Sequence, residues 1–501
     1  MTDLNLSMFR SNDIRTPVAR LPDELARRLA RAEAVYFQGV LKVPGVVVAH
    51  DARASGPHML EMATEEYTRA GLDVVMLPGI SGVCQLYYAA MRHRDLAAVM
   101  FGASHNPAGD TGRKIMGPNL TPIADGLGPE GGLACIRDLY IKGASLEKER
   151  RGRVHAFDAL PGYVAYSLTQ AGVAPGSLRP LRILHDYLYG AGGRELMLGF
   201  EPTGASLEPL HFAADGAFRL GDPNPVKQEV IAPALQRLRE EEFDVAMFYD
   251  GDADRLDVYV RDGTYLASSF VYATILPYVR RRHDVGQPIV LVDTKTNPLA
   301  ALAMVREGVQ VELVKSGHSH IKHRMYGDSR IIGVVEESAH FYDAFELEGQ
   351  RFCTENTLFF SLLVARVLLE RPERFADTIA LQSKAHRARD WGHKFPSDDD
   401  RHRALEAVAE CLRDEGAVVI DRLPDGSDIH GHMARKGLPF KLSSDLAVPD
   451  EWLQVTQRAS TSEDHLARWE IVGSDARLVR ETKERIQATV SRFGAGPEYQ
   501  G

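Results

Sequence analysis

Three similar α/β units followed by a C-terminal α+β segment is the fold class that the sequence predicts, and three observations predict it. Apolar, β-branched runs of strand length alternate with longer amphipathic stretches until about residue 380. The chain's 501 residues are too many for a single hydrophobic core. Beyond residue 380 the alternation gives way to charged helical stretches and paired strands.

The elements follow in order. From residue 44 the chain runs "PGVVVAHDARASG", a strand and a loop, then the helical "HMLEMATEEYTRAGLD" and a second strand, "VVMLPGI". Another helix, "GVCQLYYAAMRHRD", leads into the strand and loop "LAAVMFGASHNP". The rhythm repeats in "LRILHDYLYGAGGRELMLGF" (strand, glycine-rich turn, helix) and in "QEVIAPALQRLREEEFDVAMFYDGDADRLDVYV" (helix, strand, acidic turn, strand). It repeats again in "QPIVLVDTKTNPLAALAMVREGVQVELVKSGHSHIKHRM". The last part has helical "DDDRHRALEAVAECLRDEG", a segment "IHGHMARKGLPFKLSS" that no periodicity places, a strand pair in "EWLQVTQRASTSEDHLARWEIVG", and a final amphipathic helix. The expected domains are 1–155, 156–265, 266–380 and 381–501.

Composition narrows the function. With 44% hydrophobic and 26% charged residues the chain has an ordinary soluble make-up. A net charge of −10 excludes a broad nucleic-acid footprint, so an anionic ligand must be held by locally placed Arg and Lys. Four scattered cysteines without a C-x-x-C pair fit a reducing cytoplasm and offer no zinc knuckle. No stretch has the length of a signal peptide's apolar core or a membrane span, so a cytoplasmic protein with no membrane partner is expected.

Two motifs stand out. "GASHNPAGDTGRKI" (102–115) puts Ser104, His105 and Lys114 around one loop. Ser, Asn, Pro and Gly make up any loop, but this one follows a strand at its carboxyl end, where open α/β sheets bind ligands. "YDGDADRLD" sets Asp250, Asp252 and Asp254 at alternate positions, followed by Arg255. Such carboxylates repel one another unless they splay into solvent or hold a cation. An EF-hand is excluded, because its sixth and twelfth positions would be Arg255 and Arg261. A hard-cation site suited to Mg²⁺ and a phosphate oxygen remains.

Three further segments are weaker alone. "VVEESAHFYD" carries Glu336, Ser338 and His340; "VKSGHSHIKHRM" carries Lys315, Ser316, His318 and Lys322. "QRASTSED" offers Arg458, Ser460 and Ser462, the ingredients of a phosphate cradle. Each could equally be a charged strand end. No G-x-x-x-x-G-K-[ST] occurs, and "YGAGG" (189–193) reads as packing, not dinucleotide binding.

In combination and in this order, "ASHNP", "DGDADR", "GHS", "E-x-S-x-H" and a late "RAS" resemble the α-D-phosphohexomutases, most closely their phosphomannomutase/phosphoglucomutase branch. The resemblance begins at "FRSNDIRTP" (9–17), which includes Arg15, and covers nearly all of the chain. It implies four domains around a central cleft and a reaction that interconverts hexose 1-phosphate and hexose 6-phosphate. It also implies a phosphoserine enzyme at Ser104, a 1,6-bisphosphate intermediate that serves as activator, and one Mg²⁺ held by Asp250, Asp252, Asp254 and the phosphoserine. By the same resemblance Lys114, Arg255, His340 and Arg15 are catalytic. Lys295, Ser316, Gly317, His318, Glu336, Ser338 and His340 would hold the sugar phosphate, and Arg458, Ser460 and Ser462 the phosphate not being transferred. The partner is a small phosphosugar, with no nucleic acid, and the enzyme is a monomer or homodimer.

There are departures. Val335 and Ala339 replace the glycines of G-E-x-S-G-H, Asn12 stands where the branch has tyrosine, and residues 425–445 resemble an insertion. These leave the sugar open, a phosphoglucosamine-like substrate or bisphosphate synthesis included. A metal-dependent glycosyltransferase or a non-catalytic sugar-phosphate binder are the alternatives of other classes. Ser104 is expected on an exposed turn, and the stiffened sugar loop is expected to prefer one hexose over its C2 epimer.

Overall fold

The computed structural model describes residues 4–460 and 463–500. The chain forms two compact units: one from the residues up to Ser268 with Gly317–Ser329 and Ser338–Arg371, the other from Ser269–Ser316, Arg330–Glu337 and the residues from Pro372.

The first unit contains two sheets. Strands β1 (Ile14–Pro17), β2 (Gly45–His50), β3 (Asp73–Ile80), β4 (Ala97–Phe101), β5 (Asp110–Met116), β6 (Pro122–Ile123) and β7 (Val154–Ala156) form a mixed sheet in the order β1-β5-β4-β2-β3-β7, with β6 on β5. Strands β2, β3, β4 and β7 run parallel, whereas β5 is antiparallel to β4 and β1. The β-branched run of β2 is buried almost throughout, as expected of a strand covered on both faces. Helices Asp23–Val35, Gly56–Arg69 and Leu133–Lys142 turn Leu25, Leu29, Met59, Ala63 and Ile136 onto Val46, Val48, Val74 and Val99. The connection from β4 to β5 carries Ser104 away from the carboxyl end of β4.

Strands β8 (Arg182–Asp186), β9 (Ser206–Leu210), β10 (Val245–Tyr249), β11 (Leu256–Val260) and β12 (Tyr265–Leu266) form the second sheet, ordered β12-β11-β10-β8-β9. Strands β8, β9 and β10 are parallel, and β10 turns back into β11 with Tyr249 paired to Leu256. That pairing pins both ends of the acidic segment 250–255. Helix His318–Gly327, the hairpin Phe341–Leu347/Gln350–Glu355 and helix Thr357–Glu370 complete the unit. The Leu256 N–H donates to the Ala339 carbonyl at 3.0 Å, and Arg255 pairs with His340 in an isolated bridge.

In the second unit, Ile289–Asp293 lies between Gln310–Val314 and Ile331–Val335, all parallel. Six antiparallel strands from His386 onward pack with helices Asp398–Asp414 and Ala476–Ser491 around stacked Trp391 and Trp469. The first half of the segment that periodicity could not place belongs to strand Asp428–Lys436. Its buried positions include His432, hydrogen-bonded to Gln457, and Arg435, hydrogen-bonded to Gln454. A strand that buries satisfied polar groups gives no apolar alternation to read.

Candidate active site

The serine loop is a tight turn, with the Asn106 N–H donating to the Ala103 carbonyl at 3.0 Å. Ser104 takes φ 48°, a left-handed conformation uncommon outside glycine. Contrary to the exposed turn expected from composition, Ser104 is only 2% exposed. A polar loop can be buried when its groups find partners, and this one does. Ser104 Oγ donates to Asp250 Oδ2 at 2.8 Å and lies 3.2 Å from His105 Nδ1.

Asp250, Asp252 and Asp254 are all buried, with ligand oxygens within 4.8 Å of one another. Gly251 is required here: a Cβ would lie 2.4 Å from the Ser104 carbonyl oxygen, so a side chain would drive the two loops apart. Backbone contacts hold the acidic loop from beneath. Val83 N–H donates to Asp252 O and Ala191 N–H to Gly251 O, each at 2.9 Å. A Cβ at Gly190 would come within 2.8 Å of Asp250 O, so "YGAGG" does serve packing.

Lys114, buried on β5, donates to Asp252 Oδ2 at 2.7 Å and to Asp254 Oδ2 at 2.6 Å. Burial works against its charge, but the two carboxylates hold its pKa above the ordinary value, so it stands as an ammonium. Burial would raise the Asp254 pKa; Lys114, His340 and Arg255 outweigh it and keep that carboxylate ionised. Asp250 is pushed well above the usual range by burial and by Asp254 and Asp252. Asp252 Oδ1 and Asp254 Oδ1 are buried without a hydrogen-bond partner. Three clustered hard carboxylates, two of them with an unsatisfied oxygen, are a donor set that fits Mg²⁺.

Basic groups surround these carboxylates. The Arg255 guanidinium donates to His105 Nδ1 at 2.8 Å and its Nε lies 3.7 Å from Asp250 Oδ2. Arg15 donates to Asp13 at 2.9 Å and to Asn106 Oδ1 at 2.7 Å, anchoring the serine loop from β1. His340 Nδ1 stands 3.6 Å from Asp254 Oδ1, and burial lowers its pKa to about 3. His318, which opens its helix behind Gly317 at φ 122°, lies 4.0 Å from Asp13. Burial, with Lys322 and Lys114, holds His318 well below its usual value; burial, with Arg255 and Arg15, does the same to His105. Ser338 belongs to the same unit, two residues before His340.

The structure thus brings Ser104, Lys114, His340 and the three aspartates together in a buried cluster, with Arg15, Arg255 and His318 partly buried at its edge. It adds residues that sequence reasoning did not single out. Glu355 accepts from Lys322 at 2.7 Å, and its carboxylate lies within 4.8 Å of the ligand atoms of Asp254 and His340. In the sequence Lys322 is one polar residue among several of its segment. Glu355 ends a hairpin strand, sits among polar residues (Gln350, Arg351, Thr354, Asn356, Thr357) and carries no motif, so nothing in the sequence marks it.

The remaining candidates lie in the second unit. Lys295 Nζ is 3.9 Å and Ser316 Oγ 3.4 Å from Asp293 Oδ2. Glu336 is buried at the end of strand Ile331–Val335. Arg458 sits half-buried on strand Leu453–Ala459, and Ser460 Oγ accepts from the Glu463 N–H at 3.2 Å. Ser462 lies outside the described residues.

With this geometry in view, comparison with known proteins is direct. Residues 6–126 match phosphoglucomutase/phosphomannomutase, alpha/beta/alpha domain I, and residues 161–263 match domain II of the same family. The chain is 25% identical over 471 residues to a phosphomannomutase of Escherichia coli, covering 91% of this chain and 96% of that protein. It is also 25% identical over 443 residues to a phosphoglucomutase of Neisseria gonorrhoeae, covering 85% and 90%. In fold it superimposes on the crystal structure of a phosphoglucomutase/phosphomannomutase family protein from Burkholderia thailandensis with TM-score 0.79 and 20% identity, covering 98% and 99% of the two chains. Along most of its length the chain is thus similar to the phosphohexomutases, in sequence and in fold.

Proposed function

We propose that this protein interconverts a hexose 1-phosphate and the corresponding hexose 6-phosphate, with Ser104 as the phosphoryl carrier. The observation that carries the proposal is the hydrogen bond of 2.8 Å from a buried serine hydroxyl to one of three clustered aspartates, beside a lysine held as an ammonium. In the first half-reaction the phosphorus–oxygen bond to Ser104 breaks as a bond to the sugar hydroxyl forms, giving a 1,6-bisphosphate. The hydroxyl proton leaves to a general base of the site, the role to which His340, 3.6 Å from Asp254, is assigned. The bisphosphate then returns its other phosphoryl group to Ser104.

Asp250, Asp252 and Asp254 would hold Mg²⁺, which supplies positive charge to the phosphoryl oxygens when bound. Lys114 and Arg255 add fixed positive charge on the same side, and Arg15 keeps the serine loop in place through Asn106. Preorganised charge of this kind is the largest contribution to phosphoryl transfer. Lys295, Ser316, Gly317, His318, Glu336 and Ser338 are assigned to the sugar phosphate, and Arg458, Ser460 and Ser462 to the distal phosphate.

Mass spectrometry of the purified protein tests the carrier. One phosphate on the peptide containing Ser104, discharged by glucose 1-phosphate or mannose 1-phosphate, is the expected result. Ser104→Ala should lower turnover by at least three orders of magnitude, and a folded variant with near-normal turnover would overturn the proposal.

A further inference from the structure

Arg53 has no place in the constellation described so far, yet it is 1% exposed and lies directly beneath the serine loop. A guanidinium carries five N–H donors in a rigid planar fork, and here all five have acceptors. One terminal nitrogen donates to Ser104 O at 2.8 Å and Asn106 O at 2.7 Å. The other donates to Pro107 O and, at 3.2 Å, to Asp110 O. The fifth donor, Nε, meets Asp51 Oδ2 at 3.2 Å. Asp51 completes the arrangement by accepting the N–H of Ala103 at 3.1 Å and that of Arg53 itself at 2.9 Å. The ring of Phe218 lies 5.1 Å from the guanidinium carbon.

We infer that Arg53 is a positioning residue for phosphoryl transfer, gathering four carbonyls of the loop 104–110 so that Ser104 Oγ is presented to Asp250. The inference rests on Ser104 being the carrier. Its physical basis is that Ser104 holds a left-handed conformation that few non-glycine residues adopt unaided. The carbonyls of Ser104, Asn106, Pro107 and Asp110 converge on one point, and convergent carbonyl dipoles repel without a cation among them. Lysine cannot replace this arrangement, because its ammonium is a point charge with three donors and cannot span four carbonyls. Asp51 fixes the guanidinium plane, and Gly102 permits it: a Cβ there would lie 2.3 Å from Asp51 Oδ2.

A misplacement of the reacting atom by about 1 Å can cost 10²-fold in rate, whereas sugar-phosphate binding by other residues does not pass through Arg53. The experiment follows phosphorylation of Ser104 by ³²P-labelled glucose 1,6-bisphosphate in the full-length wild type, Arg53→Ala and Arg53→Lys, alongside KM for hexose 1-phosphate and circular dichroism. Both variants should phosphorylate about 10²-fold more slowly with KM within about threefold of wild type, and guanidinium ion at tens of millimolar should restore part of the rate to folded Arg53→Ala only. Wild-type phosphorylation rates in either folded variant would overturn the inference alone. So would a loss in KM without a loss in rate, or failure of both variants to fold, since either result makes Arg53 a structural residue. Absence of label on Ser104 in the wild type would overturn the carrier assignment and this inference with it.

Discussion

Lys114 lies between two buried carboxylates and is the nearest counter-charge to both Asp252 and Asp254. Removing one member of a buried ion pair costs roughly 3–5 kcal/mol, because the partner is left charged and desolvated. Lys114→Met should therefore melt well below the wild type in EDTA, and Mg²⁺ should recover more of the melting temperature in the variant than in the wild type. Equal melting of the two proteins in EDTA would show that Lys114 is not the counter-ion. Asp252→Asn should abolish Mg²⁺-dependent turnover, and undiminished turnover in a folded variant would contradict the metal assignment. These residues were legible in the sequence because each cluster is contiguous and chemically unusual. The burial of Ser104 was not, because a stretch of Ser, Asn, Pro and Gly looks exposed unless its partners, Asp250 and Arg53, are known to converge on it from other elements.

Two elements carry predictions that follow from backbone and burial. Ala339 stands where glycine was expected and takes φ 72°, with its carbonyl tied to Leu256 N–H at 3.0 Å. Val335, by contrast, is a buried strand residue that asks nothing unusual of the backbone. Relief of a left-handed alanine is worth about 1 kcal/mol before the entropy of glycine is subtracted, so Ala339→Gly should be neutral to slightly stabilising and should loosen the loop. The wild type should favour either glucose 1-phosphate or mannose 1-phosphate by about tenfold, and Ala339→Gly should narrow that ratio. Rates equal on both epimers in the wild type would remove the role assigned to this loop.

Glu195, on helix Gly193–Phe200, is buried with neither carboxyl oxygen hydrogen-bonded, and it abuts Gly82 at the start of helix Val83–Arg92. Burial raises its pKa from 4.5 to about 8, so the folded protein holds a proton that the unfolded chain releases across that window. Stability from this group is full below about pH 4.5 and is lost as pH rises through about 8. Glu195→Gln, which mimics the protonated acid, should lose less stability than the wild type between about pH 6 and pH 9, by a difference on the order of a few kcal/mol. Equal shifts of the urea midpoint between the two pH values in the wild type and in Glu195→Gln would contradict the assignment.

At the scale of the whole molecule, the repeated strand–helix rhythm made the α/β class legible, and the change of composition near residue 380 marked where it ends. Strand order was not legible: β1 joins the sheet beside β5, nearly a hundred residues later, through pairings such as Ile14 with Arg113. Nor was the Lys322–Glu355 pair, whose members come from a helix and a hairpin strand and meet only in the fold. The four-domain division at 155, 265 and 380 stands as a proposal, and its last boundary can be tested by excision.

All six strands of the C-terminal sheet and both helices packed on it lie between His386 and Gln500, around a core that includes Trp391, Leu405, Val408, Trp469 and Ile486. Cutting this segment free breaks bonds such as Thr456 to Thr294 O at 2.7 Å and Gln454 to Thr296 O at 3.0 Å, and leaves that core whole. Residues 384–501 alone should therefore unfold cooperatively, with near-ultraviolet circular dichroism from the stacked tryptophans. A fragment of residues 1–268 should behave differently. It keeps Ser104 and all three aspartates but loses Ala339, the acceptor for Leu256 N–H at one end of the acidic loop, and also loses His340, Lys322 and Glu355. That fragment should show no transfer from labelled glucose 1,6-bisphosphate to Ser104. A C-terminal fragment without a cooperative transition would refute the boundary, and labelling of the 1–268 fragment at the full-length rate would show that the acidic loop needs no support from the hairpin.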